Sequence, residues 1–128
     1  MIRKILLAGV ATLALSTGAA YAGNSATTIQ VGVVNGSSVT QSGFTSNTSS
    51  TSQLGLFNSA STSQSGFANG SWVNQAGVQN NATTQQAGFV NGSSITQDSF
   101  GPLFLQQNNA GVGQLGVLNG STITQTQH

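Results

Sequence analysis

Polar amides and small or β-branched residues alternate along most of this chain with a spacing of two. In the stretch NGSSITQ, the residues Asn91, Ser93, Ile95 and Gln97 occupy every second position. Residues at every second position of a β-strand point to one face, so the pattern predicts strands with an amide-bearing face. Glycine and β-branched residues are frequent and no heptad repeat is present, which argues against helices.

The alternating stretch recurs nine times as Asn-x5-Gln, and we number these stretches units 1 to 9. Random placement of the same residues would give roughly 1.6 such pairs. The unit asparagines are Asn24, Asn35, Asn47, Asn58, Asn69, Asn80, Asn91, Asn108 and Asn119. The unit glutamines are Gln30, Gln41, Gln53, Gln64, Gln75, Gln86, Gln97, Gln114 and Gln125. The step between units is 11 residues, except 12 between units 2 and 3 and 17 between units 7 and 8.

A glycine follows two residues after seven of the nine unit glutamines, and we predict that it opens a turn of about four residues. The fourth residue after every unit asparagine is β-branched, and the second is Ala or Ser. Each unit is therefore a strand followed by an arc. The predicted turn glycines are Gly32, Gly43, Gly55, Gly66, Gly77, Gly88 and Gly116.

These features predict an all-β fold, a parallel two-sheet β-solenoid with two units of about 11 residues, or about 22 residues, per turn. Like residues would stack at about 4.8 Å, so each amide can donate to the copy above and accept from the copy below. A continuous ladder satisfies amides that would be costly to bury alone, so we expect the ladders inside and the intervening Ser and Thr outside. Such stacking is amyloid-like.

Two segments interrupt the repeat. Units 2, 5, 7 and 9 begin Asn-Gly-Ser, whereas units 1, 4, 6 and 8 carry Ala at the second position after Asn. Unit 3, NTSSTSQ, belongs to neither type and follows the 12-residue step, so we predict a register fault there. Residues 98–107 contain the only proline, Pro102, and Asp98, and are predicted to form an inserted loop.

The first 22 residues have the pattern of a secretory signal peptide. Arg3 and Lys4 precede an apolar stretch too short to span a membrane, and small residues predict cleavage after Ala22. The repeat domain is then 23–128, without a membrane span. Both basic residues lie in the signal, so the formal net charge of +1 belongs to the precursor.

The repeat domain has little side-chain chemistry. It lacks Lys and Arg, which argues against binding nucleic acid or an anionic membrane. The chain has no Cys and, after residue 22, one acid (Asp98) and one imidazole (His128), so no metal or other cofactor and no enzymatic activity is expected. Trp72 falls at an outward position and is predicted to be a surface or lateral-packing residue. More than half of the residues after Ala22 are Ser, Thr, Asn or Gln, but the low charge argues against disorder.

The repeat resembles that of the curlin family, the subunits of curli amyloid fibres, which runs Gln-x-Gly-x-x-Asn-x-Ala-x-x-x-Gln. The stretches QLGLFNSASTSQ and QAGVQNNATTQQ match it, and QAGFVNGSSITQ differs by Ser for Ala. The resemblance covers nearly all of 23–128. It implies that the unit Asn and Gln residues form the amyloid.

The resemblance further implies a secreted fibre subunit of Gram-negative bacteria that polymerises at the cell surface for adhesion and biofilm matrix. The implied partners are further copies of the chain, a nucleator curlin and an outer-membrane secretion channel. The repeats begin at once after the predicted cleavage site, where the best-known curlins carry a glycine-rich export segment. The basic end of nucleator curlins is missing, so the chain resembles a major subunit more than a nucleator.

Ser and Thr pairs such as Thr122 and Thr124 leave an ice-binding or other surface-adhesive β-solenoid as the alternative. The open strand edges at both ends, without capping repeats, predict head-to-tail addition of subunits.

Overall fold

A computed structural model of the protein describes residues 23–43, 45–99 and 107–127. The predicted signal peptide, most of the predicted loop and His128 lie outside these residues. The strands are β1 (Ser25–Gly32), β2 (Gly36–Ser42), β3 (Thr48–Leu56), β4 (Ser59–Val78), β5 (Asn80–Ser99) and β6 (Asn108–Gln127).

The chain is all-β, as the period of two predicts, and the described residues contain no helix. Accordingly, these ranges include no helix with the length and apolar character needed to cross a membrane. The strands form one six-stranded sheet in the order β1-β3-β4-β5-β6, with β2 paired to β4. Every pairing is parallel, which is compatible with a β-solenoid.

The register of these pairings joins each unit to the unit after next. Gln53 lies opposite Gln75 and Gln64 lies opposite Gln86, a shift of 22 residues. The units therefore fall into two columns. The first column contains units 1, 3, 5, 7 and 9, with strand segments 25–32, 48–56, 70–77, 92–99 and 120–127. The second column contains units 2, 4, 6 and 8, with segments 36–42, 59–65, 81–87 and 109–115.

One buried apolar cluster contains residues of both columns. Val73 and Ile95 come from the first column, Ala60 and Ala82 come from the second, and the four form part of one buried cluster. Burial alternates along the strands, so the amides share the inward face with these apolar residues. The alternating sequence pattern thus places a mixed polar and apolar face inside.

The strand pairing is kept on both sides of each irregular step of the repeat. Across the 12-residue step, partners lie 23 residues apart instead of 22, and unit 3 keeps its strand pairing on both sides. The extra residue therefore falls between β2 and β3, and the predicted register fault does not displace the unit itself. Across the insertion, partners lie 28 residues apart.

The first two residues of the predicted loop, Asp98 and Ser99, belong to β5, because they pair with Thr126 and Gln127 of β6. The strand extends past Gln97 because these two residues have backbone partners in the next layer. The predicted start of the loop at residue 98 is therefore wrong, and residues 100–106 lie outside the described residues.

Candidate assembly site: amide ladders and open strand edges

Two glutamine ladders run through the molecule, one in each column. In every neighbouring pair, Nε2 of the earlier glutamine donates to Oε1 of the later one at 2.6–2.9 Å. One ladder joins Gln30, Gln53, Gln75, Gln97 and Gln125, and the other joins Gln41, Gln64, Gln86 and Gln114. All nine predicted glutamines are thus placed in continuous rows.

The glutamines also connect the two columns. Nε2 of Gln75 donates to the backbone oxygen of Ser59 at 2.9 Å, and Nε2 of Gln64 donates to that of Thr48 at 3.1 Å. In seven units this acceptor is the residue just after the asparagine of the preceding unit. In five of these seven glutamines the amide nitrogen uses one N–H along its ladder and the other toward the opposite column. Gln114 and Gln125 are the last members of their ladders and donate only to the opposite column. The spacing alone predicted the ladder but not this cross-column bond.

Two asparagine rows run with the opposite polarity. Here the later residue donates: Nδ2 of Asn91 donates to Oδ1 of Asn69 at 2.9 Å, and Nδ2 of Asn119 donates to Oδ1 of Asn91 at 3.0 Å. Nearer the beginning of the chain, the backbone N–H of the later asparagine also donates to Oδ1 of the earlier one, as for Asn69 and Asn80. For Asn47 and Asn58 the backbone N–H donates in place of the side chain. The rows are Asn24, Asn47, Asn69, Asn91 and Asn119, and Asn35, Asn58, Asn80 and Asn108.

The second asparagine row is interrupted at the insertion. Asn108 lies opposite Asn80 in the register, but Oδ1 of Asn80 is buried and accepts no hydrogen bond from the described residues. Nδ2 of Asn108 donates instead to the backbone oxygen of Asp98 at 3.0 Å. The longer connection therefore breaks one amide contact while both glutamine ladders remain continuous.

Asparagine has a second contact that the repeat spacing did not predict. Nδ2 of Asn80 donates to the backbone oxygen of Ala76 at 2.8 Å, and Nδ2 of Asn58 donates to that of Leu54 at 3.0 Å. In six units the acceptor is the residue directly after the preceding glutamine, including Asp98 before the insertion. The side chain closes the bend, and the fixed Gln-to-Asn spacing of the regular units was the sequence signal for it.

The predicted turn glycines all have positive φ, between 109° and 152°. A Cβ on Gly66 would overlap the backbone oxygen of Gly88, and one on Gly77 would overlap that of Ser99. Both the backbone conformation and the close stacking of bends therefore require glycine. By contrast, a Cβ on Gly70 or Gly92, just after a unit asparagine, would meet nothing within 4 Å.

The strand edges at both ends carry exposed apolar side chains. At the first end, the residues Val31, Val33 and Val34 are each 54–59% exposed to solvent. At the last end, Leu115, Val117 and Leu118 are 69–84% exposed. Phe67 and Phe89 stack with ring centroids 4.7 Å apart in the row of bends that ends at Leu115 and Leu118. Val31 instead begins the other row, since it pairs with Leu54, so each row of bends has an exposed apolar end at a different edge.

Other candidate residues do not form a chemical site. Trp72 is 58% exposed on the outward face, as its position predicts. Within 23–43, 45–99 and 107–127, no three His, Cys, Asp or Glu side chains are close enough to hold a metal ion. The geometry of the described residues is therefore that of a stack with hydrogen-bonding ends.

Comparison of this chain with protein-family models, with curated proteins and with solved structures finds no match to any of them.

Proposed function

We propose that this chain is a secreted structural subunit that self-assembles head to tail into extracellular, curli-type amyloid fibres for adhesion and biofilm matrix. The observation that carries the proposal is the continuity of the two glutamine ladders from the first units to the last. Each ladder ends at an open parallel edge, so a second copy can continue both the side-chain and the backbone hydrogen bonds.

The fold assigned to the subunit is a parallel two-sheet β-solenoid with about 22 residues per turn, the two columns being its two sheets. The 22-residue register shifts support this turn length. The hydrogen bonds from glutamines to the opposite column and the shared apolar cluster support face-to-face packing of the columns. An open solenoid of this kind adds subunits along its axis and forms an unclosed filament.

Export and partners form the rest of the proposal. Residues 1–22 act as the signal peptide, with cleavage after Ala22, and the mature chain leaves the cell through an outer-membrane curli-type channel. The fibre is a homopolymer started by a nucleator curlin, and Trp72, which is 58% exposed, serves as a surface or lateral-packing residue.

The test uses the chain from Gly23 onward, incubated at neutral pH. We expect Congo red binding, fibres by electron microscopy, and diffraction at about 4.8 and 10 Å. A matched pair of variants, Gln75→Glu inside the ladder and Gln85→Glu on the exposed face, separates ladder chemistry from added charge. The Gln75→Glu variant is expected to assemble poorly, because a buried carboxylate cannot donate to Gln97. A wild-type chain that stays monomeric without these reflections would refute the proposal.

Thermal hysteresis measured on the same samples addresses the ice-binding alternative. Outward Ser and Thr pairs are adjacent at only two places among the described residues: 94 and 96 beside 122 and 124 in the first column, and 38 and 40 beside 61 and 63 in the second. Trp72 and Asn74 occupy the same positions in unit 5, which lies beside unit 7 in the first column. No thermal hysteresis is expected from the fibre subunit.

A further inference from the structure

We propose that successive subunits in the fibre are related by a half-turn about the fibre axis, so that each new copy exchanges the two columns. This inference rests on the proposed head-to-tail assembly and goes further by specifying which strand of one copy pairs with which strand of the next. In this half-turn arrangement, unit 1 of the incoming copy pairs with unit 8, and unit 2 pairs with unit 9.

The odd number of units is the first reason. The first column has five strand segments and the second has four. If the incoming copy were simply translated, with its unit 1 on unit 9, every subunit would add five layers to one column and four to the other. Because both columns share one strand spacing, a layer would be missing from the second column at every junction. A half-turn gives each column five and four layers alternately, and no layer is missing.

The types of the units provide the second reason. Within the chain, units 1 and 2 stack against units of a different type, since Ala26 pairs with Ser49 and Ser37 pairs with Ala60. From unit 4 onward, Ala lies on Ala and Ser lies on Ser, as for Ala82 and Ala110. Unit 1, of the Ala type, is thus in the column of the Asn-Gly-Ser units 5, 7 and 9. Unit 2, of the Asn-Gly-Ser type, is in the column of the Ala units 4, 6 and 8.

The half-turn places these two units on their own type in the neighbouring copy. Ala26 then lies on Ala110 and Ser37 lies on Ser121. The same register places Val39 on Ile123, which is only partly buried in the single chain. Translation would instead place Ala26 on Ser121 and leave unit 2 without a strand in the adjacent layer.

The exposed apolar bends provide the third reason. The sequence QVGVVN of residues 30–35 and the sequence QLGVLN of residues 114–119 differ only by exchanges among Val and Leu. The half-turn lays these segments on each other, so Val31 covers Leu115, Val33 covers Val117 and Val34 covers Leu118. All six side chains are more than half exposed in the single chain, and burying them together stabilises the junction. After translation, residues 31–34 would meet only the last residues of the chain.

The donor direction of the glutamine ladders allows both ladders to continue across the half-turn junction. Gln114 and Gln125 are the last residues of ladders in which the earlier glutamine donates, so their Nε2 groups face the incoming copy. Gln30 and Gln41, the first residues of those ladders, have no earlier glutamine in their own chain. In the half-turn, Gln114 donates to Gln30 of the next copy and Gln125 donates to its Gln41. The asparagines bond in the opposite direction, from the incoming Asn24 and Asn35.

Disulfide cross-linking distinguishes the two arrangements, because the chain has no cysteine. Neighbouring residues in register on a parallel pair lie close enough for a disulfide. The half-turn places Ser38 of one copy beside Thr122 of another, whereas translation places Thr27 there. All three side chains are exposed. The variants are therefore Ser38→Cys/Thr122→Cys and Thr27→Cys/Thr122→Cys, each oxidised in fibres and analysed on non-reducing denaturing gels.

We expect the Ser38→Cys/Thr122→Cys fibres to give covalent oligomers that reduction removes, and the Thr27→Cys/Thr122→Cys fibres to remain monomeric on the gel. Ser94→Cys/Thr122→Cys is the control, since these positions pair within one chain and should close an intrachain disulfide. Three results would overturn the half-turn and leave the fibre proposal intact. They are cross-linking of the Thr27→Cys/Thr122→Cys variant alone, equal cross-linking of both variants, and no interchain cross-link in either variant when the control forms its intrachain disulfide. Absence of cross-β fibres from the unmodified chain would overturn both.

Electron cryomicroscopy of unmodified fibres provides a second measurement that needs no variant. Nine strands in two columns advance the axis by about 22 Å per copy, so identical faces recur after about 43 Å, which is two copies. An axial repeat of a single copy without the half-turn would overturn the inference.

Discussion

The inner units and the end units have the same residue types but very different environments. In units 3 to 7, every ladder asparagine and glutamine is buried, and Gln75 and Gln97 have no exposed surface. In units 1, 2 and 9, the equivalent amides are half-buried or exposed. An inner amide has a layer on each side, whereas an end amide has one. The difference teaches that the end units have the composition of an interior but lack one neighbouring layer, which another copy supplies in the proposed assembly.

The largest contrast is expected between two glycines of β4. In Gly66→Ala, the methyl group would overlap the backbone oxygen of Gly88, at a φ of 131° that alanine rarely adopts. Strain of this kind costs about 1–3 kcal/mol before the overlap is counted, so we expect a loss of at least about 3 kcal/mol or no folding. In Gly70→Ala, the methyl group meets nothing within 4 Å, and the change should be about 1 kcal/mol or less. Guanidinium unfolding of both variants measures the free energy of unfolding. Equal losses in the two variants would contradict the close stacking of the bends at Gly66 and Gly88.

The next contrast compares the interior of a glutamine ladder with its end. Gln75→Ala removes bonds to Gln53, Gln97 and the backbone of Ser59, and leaves buried groups unpaired. We expect a loss of about 3 kcal/mol in the free energy of unfolding of the single chain. Gln125→Ala removes one ladder bond and one exposed bond to the backbone of Asn109 at a half-buried site, and should cost about 1 kcal/mol.

The same two glutamine variants sharpen the comparison when they are measured in fibres. If assembly supplies the missing layer, Gln125 becomes an inner residue, and Gln125→Ala should weaken fibres about as much as Gln75→Ala does. Guanidinium dissociation of preformed fibres measures this. A Gln125→Ala fibre as resistant as the wild type would show that the ladders stop at the junction.

A smaller effect is expected from charging the exposed apolar end. Leu118→Lys removes a side chain that is 80% exposed in the single chain and covered at the proposed junction. Losing burial of one leucine costs about 1.5–3 kcal/mol, so end binding should weaken by roughly tenfold or more. Val90→Lys is the matched change inside the chain, since Val90 pairs with Leu118. Seeded elongation rates should fall more for Leu118→Lys, while monomer unfolding should change more for Val90→Lys.

The smallest effect has the opposite sign. Thr84 is buried and its hydroxyl has no hydrogen-bond partner among the described residues, whereas Val112 occupies the same position two units later. Thr84→Val keeps the shape of the side chain and removes the unpaired hydroxyl, so we expect stabilisation of about 1 kcal/mol. Thr122→Val, on the exposed face, is the control and should change stability by less than about 0.5 kcal/mol. Destabilisation by Thr84→Val in thermal unfolding would contradict the buried, unpaired hydroxyl.

The sequence by itself determined the strand period, the inward face, the rows of stacked amides and the glycine bends. These depend on local geometry: a period of two selects one strand face, and a recurring amide or glycine at fixed spacing meets its own copy when strands pair in parallel. Gln64 and Gly66, for example, could be assigned from the repeat before any contact was known.

Only the tertiary structure decided that units 1 and 2 stack on units of a different type, and in which direction each amide bonds. Whether the 12-residue step shifts unit 3 or enlarges a bend depends on backbone pairing on both sides of Asn47, and the repeat alone does not define it. The Gln and Asn rows have opposite polarity, and their second contacts also differ: Asn closes a bend, whereas Gln reaches the other column. These second contacts join residues across the core and at the bend, so they depend on the three-dimensional path of the chain.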